Sequence, residues 1–331
     1  MQVVDFHCDT LSELRHAVKR GTPKAFLEND LHIDLNKLKK GGYMLQCFAA
    51  FINLGEPECG PLVSALEQID IFYQLMAEYP QEIGQVKCWD DLEKNRAAGR
   101  ISAMLTIEDG GCCLGNLSVL RMLYELGVRI MTLTWNYENE LAWPNVTPGD
   151  SSVVYPCGVN DTHGLKETGF AFLKEMEKLG IIVDVSHLSD AGFWDVARHT
   201  TRPFIASHSN ARAKCGHVRN LTDAMLRTIS ERGGLTGINY CAAFLDEKER
   251  PELCRSTVAL MADHIEYIRQ VGGLEMIALG SDFDGIENNL EMKDCSYLPM
   301  LEAELHRRHY SDDAIEKIFC GNALRLLREF L

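Results

Sequence analysis

One arrangement recurs along this chain and limits what it can fold into: an amphipathic helical stretch, a glycine, then a short apolar run rich in β-branched residues. It occupies residues 35–40, Gly41-Gly42 and 43–51; then 90–98, Gly99 and 101–107; then 117–126, Gly127 and 128–133. It returns as 164–179, Gly180 and 181–185; 223–232, Gly233-Gly234 and 235–239; and 257–271, Gly272-Gly273 and 276–279. Glycine after a helix adopts the left-handed cap that turns the chain back towards the next strand. Apolar runs without polar alternation fit strands covered by helices on both faces of a parallel sheet. Residues 3–6 at the start and 203–206 after a helix at 191–199 bring the number of such strands to eight. Eight βα units in one compositional regime predict a single (β/α)8 barrel over residues 1–331. A doubly wound sheet is the alternative, but no GxGxxG follows the first run and no Walker pattern occurs. The last helix, 312–330, has Ser311 as its N-cap and closes the outer ring.

Composition narrows the function classes. A hydrophobic share of 46% and a charged share of 24% are ordinary globular usage, which excludes disordered, collagenous and coiled-coil chains. No apolar run approaches the ~20 residues that a membrane span requires. A formal charge of −15 repels phosphate backbones, so nucleic acid is not an expected partner. The opening Met1-Gln2-Val3-Val4-Asp5 lacks a basic n-region and an apolar h-region, which predicts a cytoplasmic protein with no membrane attachment. The twelve cysteines form no CxxC pair and in that compartment are expected as reduced, mostly buried thiols.

In a barrel of this kind the active site lies at the carboxyl ends of the strands, and metal-type side chains fall there repeatedly. The first run ends Asp5-Phe6-His7-Cys8-Asp9, where alternation sends His7 and Asp9 to one face. The third ends Glu108-Asp109-Gly110-Gly111, the fifth Asp184-Val185-Ser186-His187, the sixth Ser207-His208-Ser209, and the eighth Ser281-Asp282-Phe283-Asp284-Gly285. Each motif alone has a structural explanation: a capped histidine, or a glutamate paired with an arginine. Three His, one Glu and two Asp at the ends of five strands converge only in a barrel, and imidazole with carboxylate suits zinc or a similar divalent ion.

The order His-x-Asp, Glu, His, His, Asp resembles the membrane (renal) dipeptidase family of dinuclear zinc peptidases, in its bacterial, unanchored form. The likeness runs from Asp5 through Glu108-Asp109-Gly110-Gly111 and the 207–220 block to Gly285. It implies an amidohydrolase-like barrel with two Zn2+ per chain. His7 and Asp9 would bind one ion and His187 and His208 the other, with Glu108 bridging them. Two ions at ~3.5–4 Å can share a water and lower its pKa to about 7, giving a bridging hydroxide as nucleophile. By the same resemblance Asp282 holds the substrate's amino group and shuttles the proton, Arg219 grips the C-terminal carboxylate, and Tyr240 assists in binding. The implied substrate is a dipeptide, in some members one with a C-terminal D-residue, and the implied assembly is a homodimer. Asp284 reads as a turn or supporting residue.

The pattern breaks once. Family members carry a histidine in a Leu-Thr-His context that supports the oxyanion, whereas here the run is Leu133-Thr134-Trp135-Asn136. Tryptophan donates one N–H and cannot become a cation, so the ions alone, or Asn136, Tyr137 or a residue of the 138–140 loop, would take that part. Two other functions are compatible with the ligand set: another amidohydrolase-type barrel acting on lactones, phosphoesters or cyclic amides, and a metal-binding barrel without catalysis. The first commonly uses a bridging lysine at a strand end, and none ends the third or fourth run here.

Overall fold

The structure is a computed structural model and describes all residues except 57–58, 146–157, 249–250 and 287–289. Its strands are β1 (Val3–Asp5), β2 (Tyr43–Phe51), β3 (Ile83–Gln85), β4 (Ile101–Glu108), β5 (Val128–Thr132), β6 (Ile182–Asp184), β7 (Ile205–Ala206), β8 (Leu235–Ile238) and β9 (Ile277–Leu279). All pairings between them are parallel. The order runs β2-β1-β9-β8-β7-β6-β5-β4, and β2 pairs back onto β4, so eight strands close into a ring wrapped by helices. This is the expected (β/α)8 barrel, with one strand more than the sequence suggested. β3 lies outside the ring, paired with Ile101, Ser102 and Ala103 of β4, while β5 takes the same edge from Leu105 onward.

The glycines act as the sequence required. Gly42 and Gly180 sit in the left-handed region at φ 78° and 83°, each capping a helix whose chain then reverses into a strand. The final helix begins at Asp312, with the Ser311 side chain accepting from the Ala314 N–H, but residues Lys317–Gly321 form a π-turn before it resumes at Asn322–Phe330. Asn322 donates to the carbonyls of Leu274 and Ile277, which ties that turn to the start of β9.

One apolar residue from each ring strand fills the barrel axis: Val4, Leu45, Met104, Ile130, Ile182, Ile205, Leu235 and Ala278, packed with Ala323, Leu326 and Leu327 of the last helix. Two residues further along four of these strands the inward layer becomes polar, with Thr106, Thr132, Asp184 and Ser207, all buried. Above that layer lies the mouth, so the site stands on a hydrogen-bonded floor over a dry plug. Among the described residues no helix is long and apolar enough to cross a membrane. Among the described residues no two cysteines form a disulfide. The segment 136–163 is described only outside 146–157.

Candidate metal centre

The strand ends deliver their side chains through unusual backbone. Of six described non-glycine residues with positive φ, four are Asp109 (79°), His187 (66°), Asp282 (63°) and Asp284 (69°), each just past a ring strand. L-residues avoid this region at a cost of about 1 kcal/mol or more, and such strain persists where the surroundings hold the residue in place. Asp109 is held by its own carboxylate, which accepts from Gly111 N (2.8 Å), Asn139 Nδ2 (2.7 Å) and Trp135 N (3.1 Å).

Glu108 is the centre of the cluster. Its Oε1 lies 2.9 Å from His187 Nε2 and 3.5 Å from His208 Nε2, and its Oε2 lies 3.3 Å from His7 Nε2. The carboxylate therefore turns one oxygen to each histidine group. His187 Nδ1 is 2.9 Å from Asn136 Oδ1, an atom that only accepts, so Nδ1 carries the proton and Nε2 a lone pair. His208 Nδ1 lies 2.7 Å from Ser207 Oγ, whose own proton goes to Asp184 Oδ2, so His208 Nε2 also presents a lone pair. These two Nε2 atoms stand 3.0 Å apart. Burial holds both imidazoles well below their usual pKa, and therefore neutral. Two lone pairs and a carboxylate oxygen facing each other repel unless something positive sits among them. A proton on Glu108 would serve, and burial pushes that carboxyl up to about 8 against the pull of His7. A divalent cation would serve better, because it satisfies all three donors at once.

The other side of Glu108 is richer in charge. His7 Nε2 lies 3.4 Å from Asp9 Oδ2 and 3.8 Å from Asp282 Oδ1, and neither His7 Nε2 nor Asp9 Oδ1 has a hydrogen-bond partner among the described residues. Burial disfavours a charged His7, but Glu108 and Asp9 more than reverse this and raise its pKa well above the usual value. Ligand atoms of His7, Glu108 and His208 lie within 4.8 Å of one another, as do those of His7, Asp9 and Asp282. The donor set thus fits a pair of divalent ions. Asp282, which the sequence did not need as a ligand, comes as close as one; its Oδ2 accepts from Asn239 Nδ2 at 2.9 Å, and burial pushes its pKa up to about 6.

All five expected ligands and Asp282 therefore meet. Arg219 stands further back, lining with His187 a small adjoining pocket. Its Nη1 and Nη2 donate to Ser209 Oγ and His208 O, and its buried Nε has no partner among the described residues. Tyr240 is 1% exposed, with its ring edge-on to Phe283 at 5.4 Å and its buried hydroxyl without a hydrogen-bond partner among the described residues. Asp284 is a supporting residue as read, accepting from Thr10 Oγ1 (2.7 Å) and His32 N (2.6 Å), with burial pushing its pKa up to about 7.

The sequence reading passed over the supports. Asn136 fixes the tautomer of His187, and Asp184 with Ser207 does so for His208. Ser207 directly precedes His208 and Asp184 lies three residues before His187, which is the signal that could have found them. Phe51 and His32, also passed over, line the mouth cavity with Asp9, Glu108, Trp135 and His187. That cavity encloses about 1270 Å³, more than the ~300–1,000 Å³ common for small-molecule sites. Walls this wide cannot by themselves select a short substrate, so selection must come from polar anchors.

Known proteins resemble this chain in sequence and in fold. The model of the membrane dipeptidase family, peptidase family M19, matches residues 1–330. An uncharacterized dipeptidase of Schizosaccharomyces pombe is 33% identical, over 99% of this chain and 80% of the relative. Two crystal structures superpose with a TM-score of 0.89: dipeptidase AC, a metallopeptidase of family M19, 26% identical and covering 100% of this chain and 98% of its own; and a Rhodobacter sphaeroides metallopeptidase liganded with a phosphinate mimic of the dipeptide L-Ala-D-Ala, 25% identical and covering 100% and 99%.

Proposed function

This chain belongs to the membrane dipeptidase family of metallopeptidases, and from that premise we propose that it hydrolyses the single peptide bond of dipeptides at a dinuclear zinc centre. His7 and Asp9 would hold one ion, His187 and His208 the other, and Glu108 would give one oxygen to each. Two ions so held supply the Lewis acidity that polarises a peptide carbonyl and activates water near neutral pH. The observation that carries the reading is the convergence of the His187 and His208 lone pairs on Glu108 Oε1 while Oε2 faces His7.

The remaining chemistry falls to the chain's own groups. Asp282 is buried beside His7 with one oxygen held by Asn239. Its free oxygen can take a proton from the attacking water, return it to the leaving amine, and hold the substrate's free amino group. Arg219 carries an unused Nε behind His187, and its planar fork suits the C-terminal carboxylate. Anchoring both termini would fix the length at two residues. The likeness to the Rhodobacter sphaeroides enzyme extends the proposal to dipeptides with a C-terminal D-residue.

The test is elemental analysis of purified protein together with rates on Ala-Ala, L-Ala-D-Ala and Ala-Ala-amide. Two zinc ions per chain, loss of activity on chelation, and at least tenfold slower cleavage of the amide are expected, since a lost charge-assisted partner costs about 1–3 kcal/mol or more. Full activity without bound metal overturns the centre. Equal rates on Ala-Ala and its amide remove Arg219 from the site.

A further inference from the structure

The cavity at the mouth of the barrel is lined by polar residues, among them Glu13, His16, Asp30, His32 and Asp284, and by apolar ones. Of its aromatic rings Phe244 is nearly covered, at 6% exposed, whereas Phe51 and Trp135 are half-buried and packed edge to face at 4.9 Å. We propose that Phe51 and Trp135 form a subsite for one side chain of the dipeptide, so that this protein selects dipeptides containing one large apolar or aromatic residue. The inference rests on the dipeptidase reading above and adds the substrate class.

Three observations carry it. The rings stand beside the reacting centre: Phe51 is the ladder partner of Glu108 across β2 and β4, and the Trp135 ring lies 6.1 Å from that of His187. Their backbones are fixed by buried polar side chains. Gln68, which is 0% exposed, accepts from Phe51 N at 3.0 Å and donates to Phe51 O at 2.6 Å, while Trp135 N donates to the buried Asp109 carboxylate. The same Asp109 is tied through Asn139 to Leu133 O on the chain leading to Trp135. A platform held this way loses little side-chain and loop freedom when a ligand docks, which is the condition for apolar contact to show as affinity. Finally, both rings keep part of their faces on the cavity, whereas a ring needed only for packing would be covered as Phe48 and Phe72 are, at 0% exposure. An apolar side chain laid there would remove aromatic surface from water on both partners. One platform can contact only one of the two side chains, so the preference should appear at one position of the dipeptide.

The test compares kcat/KM for Ala-Ala, Phe-Ala and Ala-Phe on the metal-loaded enzyme. One of the two Phe peptides is expected to exceed Ala-Ala by roughly tenfold or more. In Trp135→Ala, and more mildly in Phe51→Leu, that ratio should fall towards one, with two ions still bound and the melting temperature recording that the fold is kept. Equal rates on the three peptides in the wild type, or a uniform loss on all three in both variants, overturn the subsite. Calorimetric titration with two phosphinate dipeptide analogues, one bearing a benzyl and one a methyl side chain, reads the same question without turnover. The benzyl compound should bind about tenfold tighter to the wild type and lose that advantage in Trp135→Ala; equal affinities overturn the proposal. Cleavage of Ala-Ala without any aromatic preference removes the subsite and leaves the dipeptidase reading standing. Benzyl-selective binding without cleavage of any dipeptide does the reverse.

Discussion

The two sides of Glu108 are built on different principles. On the His187–His208 side both imidazoles are neutral, and each Nδ1 is committed to a fixed acceptor, Asn136 or the Ser207–Asp184 pair. On the His7 side the neighbours are carboxylates, Asp9 and Asp282, and Asp9 Oδ1 has no hydrogen-bond partner among the described residues. The first side is organised by orientation and the second by charge. A cation on the first would be held by well-aimed lone pairs; on the second it would be held by neutralising anions, one of which is free to do chemistry. One barrel mouth can thus separate holding a metal from using it.

Removing Glu108 should erase the comparison, because its two oxygens face the two sides. Glu108→Ala is expected to lose at least one ion by elemental analysis and to bring dipeptide hydrolysis to background. Two retained ions with wild-type turnover would mean that the sides are independent. Asp282→Asn acts on the charged side only. It should keep both ions and the fold, lower kcat by ~10²–10⁴, the usual worth of a positioned proton transfer, and raise KM as the amine anchor weakens. If the Asn variant instead loses an ion, Asp282 is a ligand before it is a base.

Asn136→Ala acts on the oriented side only. Loss of the group that fixes a metal-binding histidine typically costs 10–100-fold in affinity. A competing chelator should therefore strip one ion about that much more easily and leave the other unchanged, and equal weakening of both would contradict the separation. The smallest expected effect lies away from the centre and tests the claim that burial keeps these histidines neutral. His264, 1% exposed, accepts from Ala211 N, and burial pushes its pKa from 6.5 down to about 4. The unfolded chain takes up a proton near pH 6.5 that the folded one refuses until about pH 4, so folding stability falls as pH drops through that window. The loss is at most about 3 kcal/mol. Denaturant unfolding of His264→Gln should show a flatter dependence between pH 6.5 and 4.

The ring was legible because its signal is local and repeated. Eight apolar runs, most of them preceded by a helix and a glycine, mark eight strands without any knowledge of their neighbours. β3 was not legible, since Ile83-Gly84-Gln85 contains one apolar residue and becomes a strand only because β4 offers it an edge. The same distinction holds in the site. His7, Asp9, Glu108, His187, His208 and Asp282 could be named because each directly follows an apolar run in a fold that gathers strand ends. The edge-on contact of Tyr240 with Phe283 joins residues 43 positions apart, and the task of Asn136 depends on a partner 51 residues away. Phe51 reads as the last residue of an apolar run, and nothing in its neighbours separates a core-facing ring from a mouth-facing one. What the chain states residue by residue can be read; what arises from contact between distant segments needs the folded molecule.

The left-handed backbone at Asp109, His187, Asp282 and Asp284 also bears on how this protein would respond to selection for heat resistance. Glycine or asparagine at each position would relieve backbone strain of about 1 kcal/mol, and a screen that scores only surviving folded protein would reward those changes. Each one removes a group that the centre uses or leans on. The most readily found thermostable variants would therefore accumulate around the mouth and be the least active, a trade-off common where stability and activity compete for the same positions. A stabilised form that still turns over substrate should be sought in the outer helices, with the four strained positions held fixed.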